Sequence, residues 1–189
     1  MHKMIKRESI YQEKIYKIEQ FYLGDGKILE DFEIKFIEEE KYSEYRDNYV
    51  RVCHDAFIFY EGKVLLFKRN NEPEKGEFWP IGGAVHKGRS FEKSLRIKVE
   101  NECGLKIKNL QLIGINRLLI GPTENFKKGS DDITFSYFVE GEGKIIMDKD
   151  NKDYLLVGLV DFENIKNSLN EYVSKMVEKC FEVQKNLQS

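Results

Sequence analysis

No stretch of the chain approaches the ~20 consecutive apolar residues that a membrane-spanning helix needs. The opening MHKMIKRESIYQEKIYKIEQ carries no apolar core of the signal-peptide type. Blocks of five or more like charges are absent, and 31 basic residues nearly balance 33 acidic ones. This excludes the charge footprint of a nucleic-acid binder and the polybasic tail of a membrane-surface protein. Cysteine is scarce: Cys53, Cys103 and Cys180 stand far apart with no CxxC spacing. Neither a disulfide framework nor a zinc knuckle can be drawn from them, and they fit the reduced thiols of a cytosolic protein. With three prolines, no Gly/Ser tract and no internal repeat, nothing marks a linker. The expectation is one domain of a cytoplasmic protein whose partners include neither nucleic acid nor a membrane.

What is present supports a packed core under a charged surface, with 41% hydrophobic and 34% charged residues. Residues 1–48 read as an N-terminal extension of one helix and one strand, too short to bury a core alone. In it Tyr11, Ile15, Ile18 and Tyr22 recur at helical spacing, GDGK (24–27) turns the chain, and FEIKF (32–36) alternates as a half-buried strand does. EEEK (38–41) reads as a solvated segment. Its apolar faces are expected to pack on the rest of the chain or across a two-fold interface, making a homodimer.

Residues 49–189 read as the main domain. YVRVCHDAFIFY (49–60), the turn EG and KVLLFK (63–68) predict a hairpin. LQLIGINRLLI (110–120), DITFSYFV (132–139) and YLLVGLV (154–160) predict further strands. Leu169, Val173, Met176, Cys180, Val183 and Leu187 predict a closing helix whose stripe is core. Strands either side of a central helix, closed by a long one, predict an α+β fold, a mixed β-sheet sandwiched between helices.

The chemistry gathers in FWPIGGAVHKGRSFEKSLRIKVENECGL (78–105). Ser90 can cap a helix, Phe91, Leu95, Val99 and Cys103 form its buried face, and Gly104 supplies the left-handed stop. Glu102 flanks that face beside Lys98, one turn earlier. Backbone at Gly82 and Gly83 can approach a ligand closely. A carboxylate near such a turn suits a divalent cation that keeps waters for a bound phosphate.

Gly83 to Leu105 resembles the Nudix box, G-x5-E-x7-R-E-U-x-E-E-x-G-U, with U aliphatic. Gly83, Val99, Glu102, Gly104 and Leu105 fall in register; Arg89, Ile97, Lys98 and Asn101 stand where the pattern has Glu, Arg, Glu and Glu. The loop KRNNEPEKGEFWPIGG (68–83) is similar to that of the GDP-mannose mannosyl hydrolase branch, and the resemblance runs over residues 50–162. It implies a Nudix fold and a hydrolase of a nucleoside diphosphate linked to another moiety, such as a nucleotide sugar. It further implies one Mg²⁺ or Mn²⁺ held by the Gly82 carbonyl, Glu102 and Asp150, with Glu102 and Arg69 as catalytic residues. Asp55, Arg69 and Lys98 are then the substrate-binding residues. The branch's His base and one arginine are matched by Asn151 and Ala84. Two rival readings follow: a Nudix domain that binds a nucleotide without cleaving it, or a conventional diphosphate-cleaving enzyme with ligands such as Asp131 and Asp132.

Plainer readings stand beside these. Arg69 could pair with Glu72 or Glu74, Lys98 and Arg89 could be surface charges, and Asp55 either points outward or meets a cation. His54 and His86 are bases by type, although a lone histidine is more often a bystander. Cys103 reads as core.

Overall fold

A computed structural model describes residues 18–33, 37–124, 127–147 and 151–188. The hairpin forms from β1 (Arg51–Tyr60) and β2 (Lys63–Arg69), with Tyr60 opposite Lys63. Its two turn residues, Glu61 and Gly62, both take positive φ, which matches the twist of the flanking strands. β3 (Phe78–Trp79) and β4 (Ile81–Ala84) follow, the first pairing with β2 and the second with β1. Next come α2 (Phe91–Cys103), β5 (Lys106–Ile120), β6 (Ser130–Glu142) and β7 (Asn151–Val157). The sheet runs β3-β2-β1-β6-β5, with β1 and β6 parallel and β5 antiparallel to β6; β7 lies antiparallel on β2. It is a mixed sheet, as expected.

Alternation along the strands feeds two cores. Ala56, Ile58, Leu65 and Phe67 pack against Leu95, Val99 and Cys103 of α2. Phe57, Val64, Leu66 and Phe138 pack on the opposite face against α4 (Glu171–Gln188), which contributes Val173, Met176, Val177, Cys180 and Val183. Each such aliphatic side chain contributes on the order of 1.5–3 kcal/mol by leaving water. Leu187, counted in the stripe, is exposed because the helix outruns the sheet there.

Two elements differ from expectation. YLLVGLV is not one strand: β7 ends at Val157, and α3 (Leu159–Ile165) begins after Gly158, whose N–H donates to the Asp161 carboxylate at 3.3 Å. In the N-terminal extension, residues 1–17 and 34–36 lie outside the described residues, and with them Tyr11, Ile15 and most of the expected strand. Ile18 and Tyr22 lie in no helix, and Phe32 and Glu33 in no strand. A 3₁₀ turn over Gly26–Asp31 precedes them, and Arg89 from the α2 loop explains why the chain is not a strand there. Its guanidinium donates to the carbonyls of Glu30 and Phe32, groups that a ladder would otherwise use.

EEEK opens α1 (Glu39–Asn48), whose amphipathic signal is weak because nearly every residue is polar. Glu39 and Glu40 complement its N-terminal dipole. This helix is tied to the sheet by a buried ion pair. Arg51 Nε and Nη2 donate to the two oxygens of Asp132 at 2.7 and 2.5 Å, Nη1 donates to Tyr42 of α1 at 2.6 Å, and Ser130 joins both partners. So the extension packs on the domain at two points, through Tyr42 and through Arg89. Removing one member of a buried, bidentate pair leaves the other charge uncompensated. Asp132→Asn is therefore expected to lower unfolding free energy by about 3–5 kcal/mol in urea denaturation, a loss far beyond that of a surface ion pair.

Candidate active site

The site is assembled where β4 crosses β1 with no side chains of its own. Asp55 pairs with Gly82 and His54 with Gly83. A Cβ on Gly82 would lie 1.7 Å from Asp55 Oδ1, so the carboxylate rests directly on the glycine backbone. Gly83 has φ +130, and a Cβ there would meet Lys98 Cε at 3.2 Å and Nζ at 3.4 Å. Lys98 Nζ in turn lies 3.2 Å from Glu102 Oε1, one turn along α2. Their side chains are only 21% and 27% exposed, so this pair is partly withdrawn from solvent screening.

Arg69 closes the group from the end of β2, at a register shift in the β2–β7 ladder. Its Nε donates to the Pro73 carbonyl at 2.7 Å, and its backbone bonds to Glu77 and Gly76 fold the loop around it. Burial pulls the Arg69 pKa down, and the carboxylates that oppose this most are Asp55 and then Glu102, ahead of Glu74 and Glu72. The partners weighed from sequence, Glu72 and Glu74, are thus the weaker ones. Five of the six expected site residues, Asp55, Arg69, Gly82, Lys98 and Glu102, meet in one cluster. Asp150 lies outside the described residues; the backbone of Asn151 is paired opposite Arg69.

Asp55 points inward, 4% exposed, and is held by a residue that the sequence did not single out. Tyr172 of α4 donates to Asp55 Oδ2 at 2.6 Å, Ser136 lies 2.8 Å from the Tyr172 hydroxyl, and Asn116 Nδ2 donates to Ser136 at 2.9 Å. Because the single Tyr172 proton goes to Asp55, Ser136 donates to the Tyr172 hydroxyl and accepts from the Asn116 amide nitrogen, and the string ends on Asp55 as acceptor. Burial dominates nevertheless. It pushes the Asp55 carboxyl up to about 7, against the Tyr172 hydrogen bond and the charges of Arg69 and Lys98, while Asp132 adds to the rise. A buried tyrosine hydroxyl needs a partner, which is the one signal that could have singled out Tyr172.

Four other candidates resolve into structural roles. His54 is fully buried, its Nε2 2.8 Å from Ser94 Oγ, and burial takes its pKa down to about 4, so it is a neutral core residue. Ser94 also accepts from the His86 N–H at 2.9 Å and so ties the loop before α2 to β1. Asp132 is taken by Arg51, and Asp131 by Arg117 at 2.7 and 3.0 Å. Neither is a spare metal ligand. Arg89 faces the N-terminal extension, not the cluster. A cavity of about 380 Å³ between α1 and the start of β6, lined by Tyr49, Leu119 and Lys128 among others, shares no residue with the cluster.

Among the described residues no three His, Cys, Asp or Glu side chains gather as a metal-binding group. Of the donors that the resemblance implies, the Glu102 carboxylate stands beside the diglycine backbone, with a lysine ammonium lying against it as a stand-in cation. That fits one hard divalent ion, which binds through one or two carboxylates and keeps waters for phosphate. It does not fit several ions.

The NUDIX domain family matches residues 51–179. Over 64 residues, 34% of this chain, it is 38% identical to the ADP-ribose pyrophosphatase of Methanocaldococcus jannaschii; the chain spans 38% of that protein's length. Over 131 residues, 67% of this chain and 80% of the relative, it is 28% identical to the low-salt glycan biosynthesis protein Agl8 of Haloferax volcanii. The NUDIX domain of Shewanella oneidensis NrtR, crystallised with ADP ribose, superposes with a TM-score of 0.58 at 17% identity, covering 79% of this chain and 99% of that one. At that identity the likeness speaks to the fold alone.

The electrostatics of Asp55 make a prediction for stability. Its folded pKa of about 7 lies above the ordinary 3.8, so between these values the folded state binds the proton that the unfolded state has lost. Stability from this group therefore falls as pH rises from about 4 to 7. Asp55→Asn removes that dependence. The urea midpoint of the variant should gain on the wild type from pH 4 to pH 7 and then level off, and a constant difference would mean that Asp55 titrates normally.

Proposed function

The chain belongs to the Nudix hydrolase family, and from that premise we propose that it hydrolyses a nucleoside diphosphate joined to a second moiety, of the nucleotide-sugar type represented by GDP-mannose. The observation that carries this reading is the cluster itself: two cations, Arg69 and Lys98, and two carboxylates around a bare diglycine backbone. A diphosphate needs dispersed positive charge and close backbone approach, and this arrangement offers both. The names of the relatives agree in chemistry, since ADP ribose is a nucleoside diphosphate carrying a sugar and glycan biosynthesis consumes activated sugars.

The Nudix family generally uses divalent metal. In our reading the Gly82 carbonyl and Glu102, with Asp150 as a third donor, would hold one Mg²⁺ or Mn²⁺. Such an ion, when bound, neutralises diphosphate charge and acidifies its water. Arg69 stabilises charge on the departing diphosphate, and Lys98 binds the same group from the α2 side. Asp55, fixed by Tyr172, is a substrate-binding residue whose charge also bears on Arg69. The thiols of Cys53, Cys103 and Cys180 are free and buried, in keeping with a cytoplasmic protein. Exposed apolar side chains on the extension, Phe21, Leu23 and Ile28, are what a two-fold partner in a homodimer would cover.

A second reading, a nucleotide-binding module without turnover, is favoured by the ammonium on Glu102 and by the asparagine at position 151. The conventional diphosphate-cleaving reading draws on the name of the archaeal pyrophosphatase, but it loses Asp131 and Asp132 as ligands to their arginines. Incubating the protein with ADP-ribose, GDP-mannose and related compounds in Mg²⁺ separates all three. Free sugar plus nucleoside diphosphate supports the proposal; nucleoside monophosphate plus sugar phosphate supports the conventional enzyme. Binding with no products supports the module. For any active substrate, Glu102→Gln is expected to lower kcat by about 10²–10³, with thermal unfolding unchanged, and an active variant would remove Glu102 from the site.

A further inference from the structure

Lys98 has two claims on it, and so does Glu102. The ammonium is 3.2 Å from the Glu102 carboxylate, and its stem lies over Gly83, where a side chain on the glycine would have displaced it. That position lies between the helix carboxylate and the backbone on which a diphosphate would rest. An ammonium at this distance and a divalent ion on the same carboxylate repel, so each weakens the other's hold on Glu102. The same ammonium, on a flexible four-carbon stem, can swing from a carboxylate to a phosphate oxygen without any backbone change.

We propose that Lys98 is an exchangeable counter-ion that couples metal and diphosphate binding. On Glu102 it opposes metal binding; on a diphosphate it releases Glu102 to the metal. This rests on the reading of the cluster as a diphosphate site and deepens it. The coupling is reciprocal, so whatever factor the diphosphate adds to metal affinity, the metal adds to diphosphate affinity. One substitution must then move two affinities in opposite directions. A lysine that is merely structural would weaken both, and a solvated one would change neither.

Lys98→Met tests this, with Lys98→Gln as a second variant that keeps polarity and Lys98→Arg as one that keeps charge. Mn²⁺ is titrated calorimetrically into each protein without nucleotide, after thermal unfolding has established equal folding. The Met and Gln variants are expected to bind Mn²⁺ about tenfold more tightly than wild type, within the usual span of coupling between sites, and the Arg variant to match wild type. Glu102→Gln in the Met background should abolish the gain. In a separate arm, methylenediphosphonate is titrated in EDTA, and its affinity should fall about tenfold in the Met and Gln variants. An unchanged Mn²⁺ dissociation constant, or a diphosphonate affinity that stays the same, overturns the exchange. Neither arm involves turnover, so a protein that binds in this way yet cleaves nothing would sink the hydrolase reading and leave the exchange standing.

Discussion

An alanine at position 82 would drive its methyl into the Asp55 carboxylate, and a side chain at position 83 would press on Lys98. The absence of both side chains is what lets β4 pair with β1 so closely that one charged group rests on each glycine. From that contact the rest of the site follows. Asp55 is brought to where its charge bears on Arg69, Lys98 is brought to Glu102, and α2 and α4 each present a polar side chain towards the diglycine strand from opposite faces of the sheet. Glycine weakens a strand by losing entropy and side-chain packing. Here that cost is offset by two helices packed on the strands around it.

The start and the middle of β1 handle buried charge in different ways. At Arg51 the pair is closed: the guanidinium and the Asp132 carboxylate meet along two bonds, with Tyr42 and Ser130 filling the remaining positions. Such a group has nothing left with which to bind a ligand. At Asp55, four residues on, the one direct donor among the described residues is the Tyr172 hydroxyl, and the charges of Arg69 and Lys98 do not overcome burial. A carboxyl whose pKa is pushed up to about 7 retains an appetite for a proton or a cation. The difference in completeness separates a structural pair from a functional cluster, although both aspartates are 4% exposed.

Much of this was legible in the chain itself. The cap at Ser90, the stripe Leu95–Val99–Cys103 and the left-handed Gly104 define α2 by local chemistry alone, and the register that helix imposes puts Lys98 beside Glu102. The hairpin at Glu61–Gly62 is equally local. What stayed hidden was decided at long range. Tyr172 lies 117 residues from Asp55 and sits next to Val173 in a stripe that reads as core. Helix α1 presents almost no apolar face, because its anchor is a tyrosine hydroxyl on a buried arginine. The backbone at Phe32 alternates like a strand but spends its carbonyl on Arg89.

Arg89 and Lys98 look alike in the sequence, as two basic residues where the Nudix box has acids, yet the fold gives them different work. Arg89 lies before the capped turn of α2, where the chain faces outward, and its planar fork suits two adjacent carbonyls of the extension. It binds backbone, and no anion could easily displace it from there. Lys98 lies two turns into the helix on the flank that faces Gly83, and its partner is a carboxylate of the cluster. An ammonium–carboxylate pair that is a quarter exposed is easily broken, and what breaks it is a stronger anion or a stronger cation. Geometry therefore makes the first substitution a tether and the second a switchable contact. The two basic residues therefore do separate work, one in holding the extension and one in the charge of the site.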